Sequence, residues 1–357
     1  MTEAKTEYRY YKDKRTGKSC DIWRKITIKG NVKEEQFFNG KELMERRRTT
    51  IDHGNGCTQV ILISNEGFKE ESWKKDGKLH RDNDLPDYIV YYENGNKEIE
   101  EWWINNERHR CNNPARIHFH ENGNKRSEGW WKNGQLHRTN ELPAQIEYYE
   151  NGNKKSEGWW INGQRHRNND NPAYIDYWDN GNKKSESWMI DGRHHRDNDS
   201  PAYIEYYENG NKQSERWWNN NRQHRDNDSP AYIEYYVNGN KLCESWSNNG
   251  RLHRNNDNPA WILYYENGNK KFEKWRINGQ DHRDNDLPTD IAYYENGNKQ
   301  REEWLFGNQC HRNNDNPASI EYFENGNKKT ELWMIKGRYH RNNDLPFRVD
   351  YCENPNM

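Results

Sequence analysis

The residues best equipped for chemistry are a histidine, an arginine and a short run of Asp and Asn, as in His195-Arg196-Asp197-Asn198-Asp199. Read alone, this resembles the catalytic loop of a protein kinase. That chemistry also needs a glycine-rich phosphate loop, a strand lysine and Asp-Phe-Gly, and the chain has none of them. The His-Arg pair instead recurs at His80, His109, His137, His166, His195, His224, His253, His282, His311 and His340. A catalytic group is singular in a chain, so a tenfold motif points to architecture, and no enzymatic activity is expected.

Metal binding meets a similar obstacle. Zinc needs three or four ligands converging at about 2.0–2.3 Å, whereas equivalent histidines two strands apart lie roughly 10 Å from one another. The Asp-Asn-Asp triplet has the alternating oxygens that calcium favours. Yet the triplet drifts to Asn-Asn-Asp, to Thr139-Asn140-Glu141 and to Cys111-Asn112-Asn113. The expectation is that no metal or cofactor is held, that the Asx side chains serve the turn itself, and that each His ring packs on Trp and caps a turn.

Other positions share the histidine period. Trp precedes each His by seven residues: Trp73, Trp102, Trp130, Trp159, Trp188, Trp217, Trp246, Trp275, Trp304 and Trp333. Glu stands two residues before each Trp, as at Glu157, Glu186, Glu215 and Glu244. Arg follows each His, as at Arg167, Arg196, Arg225 and Arg254 after His166, His195, His224 and His253. A buried carboxylate needs a partner, and a guanidinium supplies a bidentate one. The expected device is a Glu–Arg ladder, with Glu215 paired to Arg225 or Arg196. A lysine after each Asn-Gly, from Lys97 to Lys328, forms a periodic basic edge, read as a solvated margin that discourages sheet aggregation.

These positions demand a repeating scaffold. Successive histidines are 29 residues apart except for one step of 28, where Cys111-Asn112-Asn113-Pro114 is one residue shorter than Asp82-Asn83-Asp84-Leu85-Pro86. Ala202 to Tyr207 is rich in strand formers. Asn209-Gly210 supplies a hairpin turn with two residues tolerant of positive φ, and Gln213 to Trp218 returns. A two-residue loop pairs Ala202 with Trp217, Ile204 with Glu215 and Tyr206 with Gln213, placing Ala, Ile, Tyr and Trp on one face. The alternative, a three-residue loop with a bulge, would slip the pairing by one and separate Trp from Ile and Tyr, so the first register is preferred. No sustained 3.6-residue apolar period occurs, so no long helix is expected. The predicted fold is all-β: an elongated, single-layer antiparallel β-hairpin array of ten repeats. Residues 1–50 form a degenerate N-terminal cap, with Ile26-Thr27-Ile28 and Phe37-Phe38-Asn39-Gly40 as decayed strands and a turn. Residues 51–357 form the array, ending in a single strand before Asn354-Pro355.

Composition is consistent with this. Mean hydropathy is −1.58, but 17 Trp and 23 Tyr give the chain an aromatic core, and the charges nearly cancel at −2. There is no overall field for nucleic acid or anionic lipid. The N-terminal Met1-Thr2-Glu3-Ala4-Lys5 lacks the apolar core of a signal peptide. Cys20, Cys57, Cys111, Cys243, Cys310 and Cys352 ignore the repeat and form no Cys-x-x-C pair, which reads as free thiols in a reducing, cytoplasmic compartment.

The unit Tyr-Tyr-Glu-Asn-Gly-Asn-Lys, Glu-x-Trp-x-x-Asn-Gly, His-Arg resembles the MORN-like repeats, in the variant of bacterial antitoxin-type repeat proteins and giant DNA viruses. The likeness spans about residues 60–357, although the unit is longer than the usual one and lacks its Gly-x-Gly step. The Asn, Lys, Ile and Tyr bias suits the AT-rich genome of a viral source. The resemblance implies a hairpin sheet that scaffolds protein–protein contacts. The expected function is therefore a non-enzymatic scaffold for an unidentified protein partner, in the host cytoplasm or the virion. The alternative is nucleic-acid or anionic membrane-surface binding through the lysine edge.

Overall fold

A computed structural model describes residues 4–12, 19–39, 42–64, 67–343 and 345–353 of the chain. Met1 to Glu3, Gly40, Asn354 and Pro355, which figure in the sequence reading, lie outside the described residues. Among those described there is no helix, and antiparallel β-hairpins make up the fold as the repeat period predicts. The chain divides into two compact units, residues 1–168 with 179–181 and residues 169–178 with 182–357.

The first unit opens on a meander of long strands, Lys5–Lys12, Ser19–Lys29, Val32–Asn39, Glu42–Gly54 and Cys57–Ser64, each paired with the next. Strand Glu42–Gly54 runs without a break through the expected cap boundary at residue 50. Ile26 is buried, as is Glu35, whose carboxylate takes Arg24 and Lys33, each at 2.9 Å. Strand Lys69–Lys75 still has seven residues, and from Tyr88 the paired strands take the four- and five-residue lengths of the repeat.

One repeat of the second unit shows how sequence becomes register. Strand Tyr203–Tyr206 pairs with Lys212–Arg216. The Gly210 N–H donates to the Tyr207 carbonyl and the Tyr207 N–H to the Asn211 carbonyl, both at 2.9 Å. Gly210 has φ +89°, a conformation that favours glycine, whereas Asn209 has negative φ. The turn is therefore a three-residue loop with a terminal left-handed glycine, in place of the expected two-residue turn. Such a loop slips pairing by one, and Tyr206 does face Lys212 and not Gln213. A bulge at Gln213 absorbs the slip. Glu205 then faces Ser214, and Ile204 faces Glu215 as predicted.

The two-residue turn with positive φ at both positions comes one step later. After Trp217 the chain forms a small hairpin, Trp218–Asn219 with Arg222–Gln223, around Asn220 (φ 49°) and Asn221 (φ 63°). The sequence reading had merged its first strand into the return strand. These hairpins bond copy to copy: Gly250 N–H to the Gln223 carbonyl and Gly279 N–H to that of Leu252, both 2.8 Å in the second unit, and Gly163 N–H to that of Leu136, 2.9 Å in the first.

The core lies between copies. Trp188 packs on Ala202 and Ile204 of the next repeat, with Tyr206 and Trp218 against them, and Trp217 does the same to Ala231 and Ile233. Ala, Ile, Tyr and Trp thus share a face as expected. Ala202 is wholly buried, and its small side chain admits the indole. Ala202→Leu should therefore cost about 1–3 kcal/mol by overpacking, while Val237→Leu at an exposed turn should stay within about 0.5 kcal/mol. Hydrogen exchange of the Trp188 and residue-202 amides, bonded to the residue-202 and Arg216 carbonyls, reads the difference, and equal protection in both variants would place the core elsewhere.

Candidate functional site

Each repeat has two unlike margins. The Asn-Gly turns form one, and the His-Arg loops with the small hairpins form the other. The second carries the expected site residues, held by bonds between consecutive copies.

In all ten copies the Arg of His-Arg lies over the Trp of its own repeat, 3.6–3.9 Å from the ring centroid. The expected partner of that Arg was Glu, and the structure corrects this. Arg225 grips Asp199 of the preceding loop with Nε at 2.7 Å and a second nitrogen at 2.9 Å. Arg196 holds Asp170, and Arg254 holds Asp228, in the same way. Arg167 lies 3.5 Å from Glu141. Trp217 Nε1 donates to the Asp199 carbonyl at 3.0 Å, so a single aspartate receives both the indole and the guanidinium of the next copy. Hydrogen bonding by Arg holds the carboxyls of Asp170, Asp199 and Asp257 below their ordinary value. Asn198 and Asp199 have φ of 61° and 51°, so a double left-handed step presents the aspartate.

Glu215 is buried on the Trp face as expected, but its partners are Lys212 and Tyr235, each at 2.6 Å. Glu186 and Glu244 are held by Lys183 with Tyr206 and by Lys241 with Tyr264, and Glu157 by Lys154. In the Glu186, Glu215 and Glu244 copies the phenol is that of the following repeat and donates to the buried carboxylate. Burial and the carboxylate bond together raise the Tyr235 hydroxyl above its ordinary range.

The histidines do serve turns, though Arg and not His lies over Trp. His224 Nδ1 accepts from Asn249 N at 3.4 Å, and His253 Nδ1 from Asn278 N at 3.1 Å, in the hairpin of the following copy. The Nε2 of His195 and of His224 lies 3.1 Å from Asp197 and Asp226, and that of His166 lies 2.9 Å from Asn168. Among the described residues no group of three His, Cys, Asp or Glu side chains is placed to hold a metal ion. No helix there is long and apolar enough to cross a membrane.

Between consecutive His-Arg loops lie grooves of about 270–390 Å³, and a further one of about 270 Å³ lies between the first such loop and His53, Cys57 and Thr58. Large apolar side chains stand exposed in these loops and small hairpins: Leu85, Ile104, Leu142 and Ile161 in the first unit, Ile190, Leu287 and Phe306 in the second. The sequence reading did not single out this row.

The position of the buried alanine holds Asp87 in the first unit and Thr289 and Phe347 in the second, and two copies of the first unit are left with buried polar atoms that have no partner. One oxygen of Asp87 accepts from Trp103 N at 2.6 Å, the other is buried without a partner, and burial pushes its carboxyl up to about 6. In the short loop, Asn112 and Asn113 lack the left-handed step. Trp130 Nε1 is consequently buried with no acceptor, and Arg138 has no loop carboxylate bonded to it: it donates to the Pro143 carbonyl at 3.0 Å, and Glu128 acts on it only through space. Burial lowers the Arg138 guanidinium below its ordinary value.

No family model matches the chain, and no curated protein matches it.

Glu215→Ala strands Tyr235 and Lys212 and should cost about 2–4 kcal/mol. Glu205 on the other face accepts from Tyr203, Ser214 and Arg216, so Glu205→Ala should cost about 1 kcal/mol. Chemical denaturation with hydrogen exchange compares them, and equal losses would contradict the assigned faces.

Asp87 gives a pH signature. Its folded value, about 6, lies above the ordinary aspartate value of 3.8, so its stability contribution is complete below 3.8 and is lost as pH rises through 6. Asp87→Asn keeps the acceptor for Trp103. It should stabilise the first unit by about 2–3 kcal/mol at pH 8 and change nothing at pH 3.5, as read from Trp103 amide exchange. A pH-independent difference would show that Asp87 is not the titrating group.

Proposed function

We propose that the chain is a non-enzymatic scaffold that binds a protein partner along the loop-and-hairpin margin of each unit. The observation that carries this is the row of exposed Leu, Ile and Phe side chains in the His-Arg loops and small hairpins. Exposed apolar residues concentrated on one surface mark interaction sites, and a repeat array lets many similar contacts add along its length. The MORN-like resemblance, with its giant-virus and antitoxin-type branches, favours the same scaffold role, and the cytoplasmic location belongs to this proposal.

The rival reading, nucleic acid or anionic membrane on the lysine edge, has less support. From Lys97 to Lys328 each turn lysine lies 2.5–2.7 Å from the Glu three residues on. A lysine already paired releases fewer counterions on meeting a phosphate.

Crosslinking in extracts of the source cells tests the proposal. Wild-type chain and Val237→Glu, which alters the turn edge, should capture the same partner. The combined variant Ile104→Glu, Leu142→Glu, Ile161→Glu should lose it. Full capture by the triple variant, or loss with Val237→Glu, would overturn the assignment.

A further inference from the structure

The copies of this chain are templates for one another, and the short copy lacks something its neighbours contain. In the Asp199 loop one residue satisfies two donors of the following repeat, its carboxylate taking Arg225 and its carbonyl taking the Trp217 indole N–H. The same arrangement joins Asp84 to Arg110 and Trp102 on one side of the short loop. On the other side, Glu141 offers its carbonyl to Trp159 and its carboxylate to Arg167. Between them, Cys111-Asn112-Asn113 supplies neither acceptor. The donors are nevertheless intact: Arg138 lies over Trp130 at 3.7 Å, and the Trp130 indole N–H is buried without a partner.

A cavity of about 350 Å³ lies here, lined by both of these residues and by His109, Arg110, Lys132 and His137. No Asp or Glu lines it, whereas the cavity on the far side of the short loop is lined by Asp82, Asp84 and Asp87. The charge is thus complementary to an anion at the one loop of the array that lacks its own.

We propose that this cavity is a receptor for an aspartyl residue presented by another polypeptide, which fills the place that Asp199 fills in its own loop. The incoming carboxylate meets the open edge of Arg138, and the carbonyl of the same residue meets the Trp130 indole. A bidentate guanidinium contact favours a planar carboxylate over a neutral amide. This rests on reading the margin as a binding surface and adds the chemistry of the residue it selects.

The experiment uses the full chain and purified probes, so it is independent of the capture from extracts. The probes are acetyl-Gly-Asn-Asp-Ser-Pro-amide, its Asn-for-Asp analogue and sodium acetate, titrated calorimetrically. The aspartyl peptide should bind at least tenfold more tightly than either of the others, and Arg138→Gln should abolish the preference. A second variant replaces Cys111-Asn112-Asn113 by the four-residue Asp-Asn-Asp-Leu sequence of residues 82–85. It should fill the cavity from within, gain thermal stability and no longer bind the peptide. Equal binding of the aspartyl and asparaginyl peptides, binding of acetate as tight as that of the peptide, no binding, or undiminished binding by the restored loop would each overturn the proposal.

Discussion

The fold depends on what the guanidinium of each His-Arg pair does. It lies over an indole of its own repeat and, from Arg110 and then Arg167 to Arg312, meets a carboxylate of the repeat before it. A cation against an aromatic face contributes about 0.5–2 kcal/mol depending on its desolvation. The half-exposed carboxylate adds less than a buried one, since solvent screens it. The geometric consequence is larger than either figure suggests. The Asp loop, the Trp and the Arg can occupy their positions only when two consecutive copies are in register, so the interaction joins neighbours and does little for a copy alone. Arrays of this kind derive stability from nearest-neighbour interfaces.

The other recurrent bonds follow the same rule. Tyr235 reaches back to Glu215, His224 accepts from the next hairpin, and Asn211 Nδ2 donates to the Val237 carbonyl of the next turn at 2.9 Å. Polar groups that would be costly inside a single hairpin are satisfied between hairpins. This is how a chain of such low hydropathy builds a core: aromatic rings exclude water from a strip between copies, and charged groups along the strip pair across the junction. Where the pattern fails, at Asp87 and at the short loop, buried polar atoms are left without partners.

Much of this was legible in the repeat itself. The period fixed the number of copies, and the alternation of Ala, Ile and Tyr against Glu and Trp identified the inner face. The pairing of Ile204 with Glu215 survived an error about the turn, because a loop one residue longer and a bulge at Gln213 cancel. What escaped was the identity of the charge partners. The Asp-Asn-Asp triplet was read as drifting, which was true of its first position. Its third position is a carboxylate in every copy except the short one, and that constancy was the available signal for Arg. Glu was assigned to Arg because both recur tenfold, but stoichiometry does not say which of two carboxylates a guanidinium reaches. The lysine three residues before Glu was equally constant and was taken for a solvated edge. The small hairpin was hidden because its strands are only two residues long.

The central claim is that consecutive copies are coupled through the aspartate of one and the arginine of the next. A double-mutant cycle on Asp199→Asn and Arg225→Gln, read by native-state hydrogen exchange at the Trp217 and Ala231 amides, measures that coupling directly. The account predicts an interaction free energy of about 1–2 kcal/mol, the range found for residues sharing one bonded network. Losses that add to within about 0.5 kcal/mol would show that the two residues act independently, and that the repeats are held in register by something else.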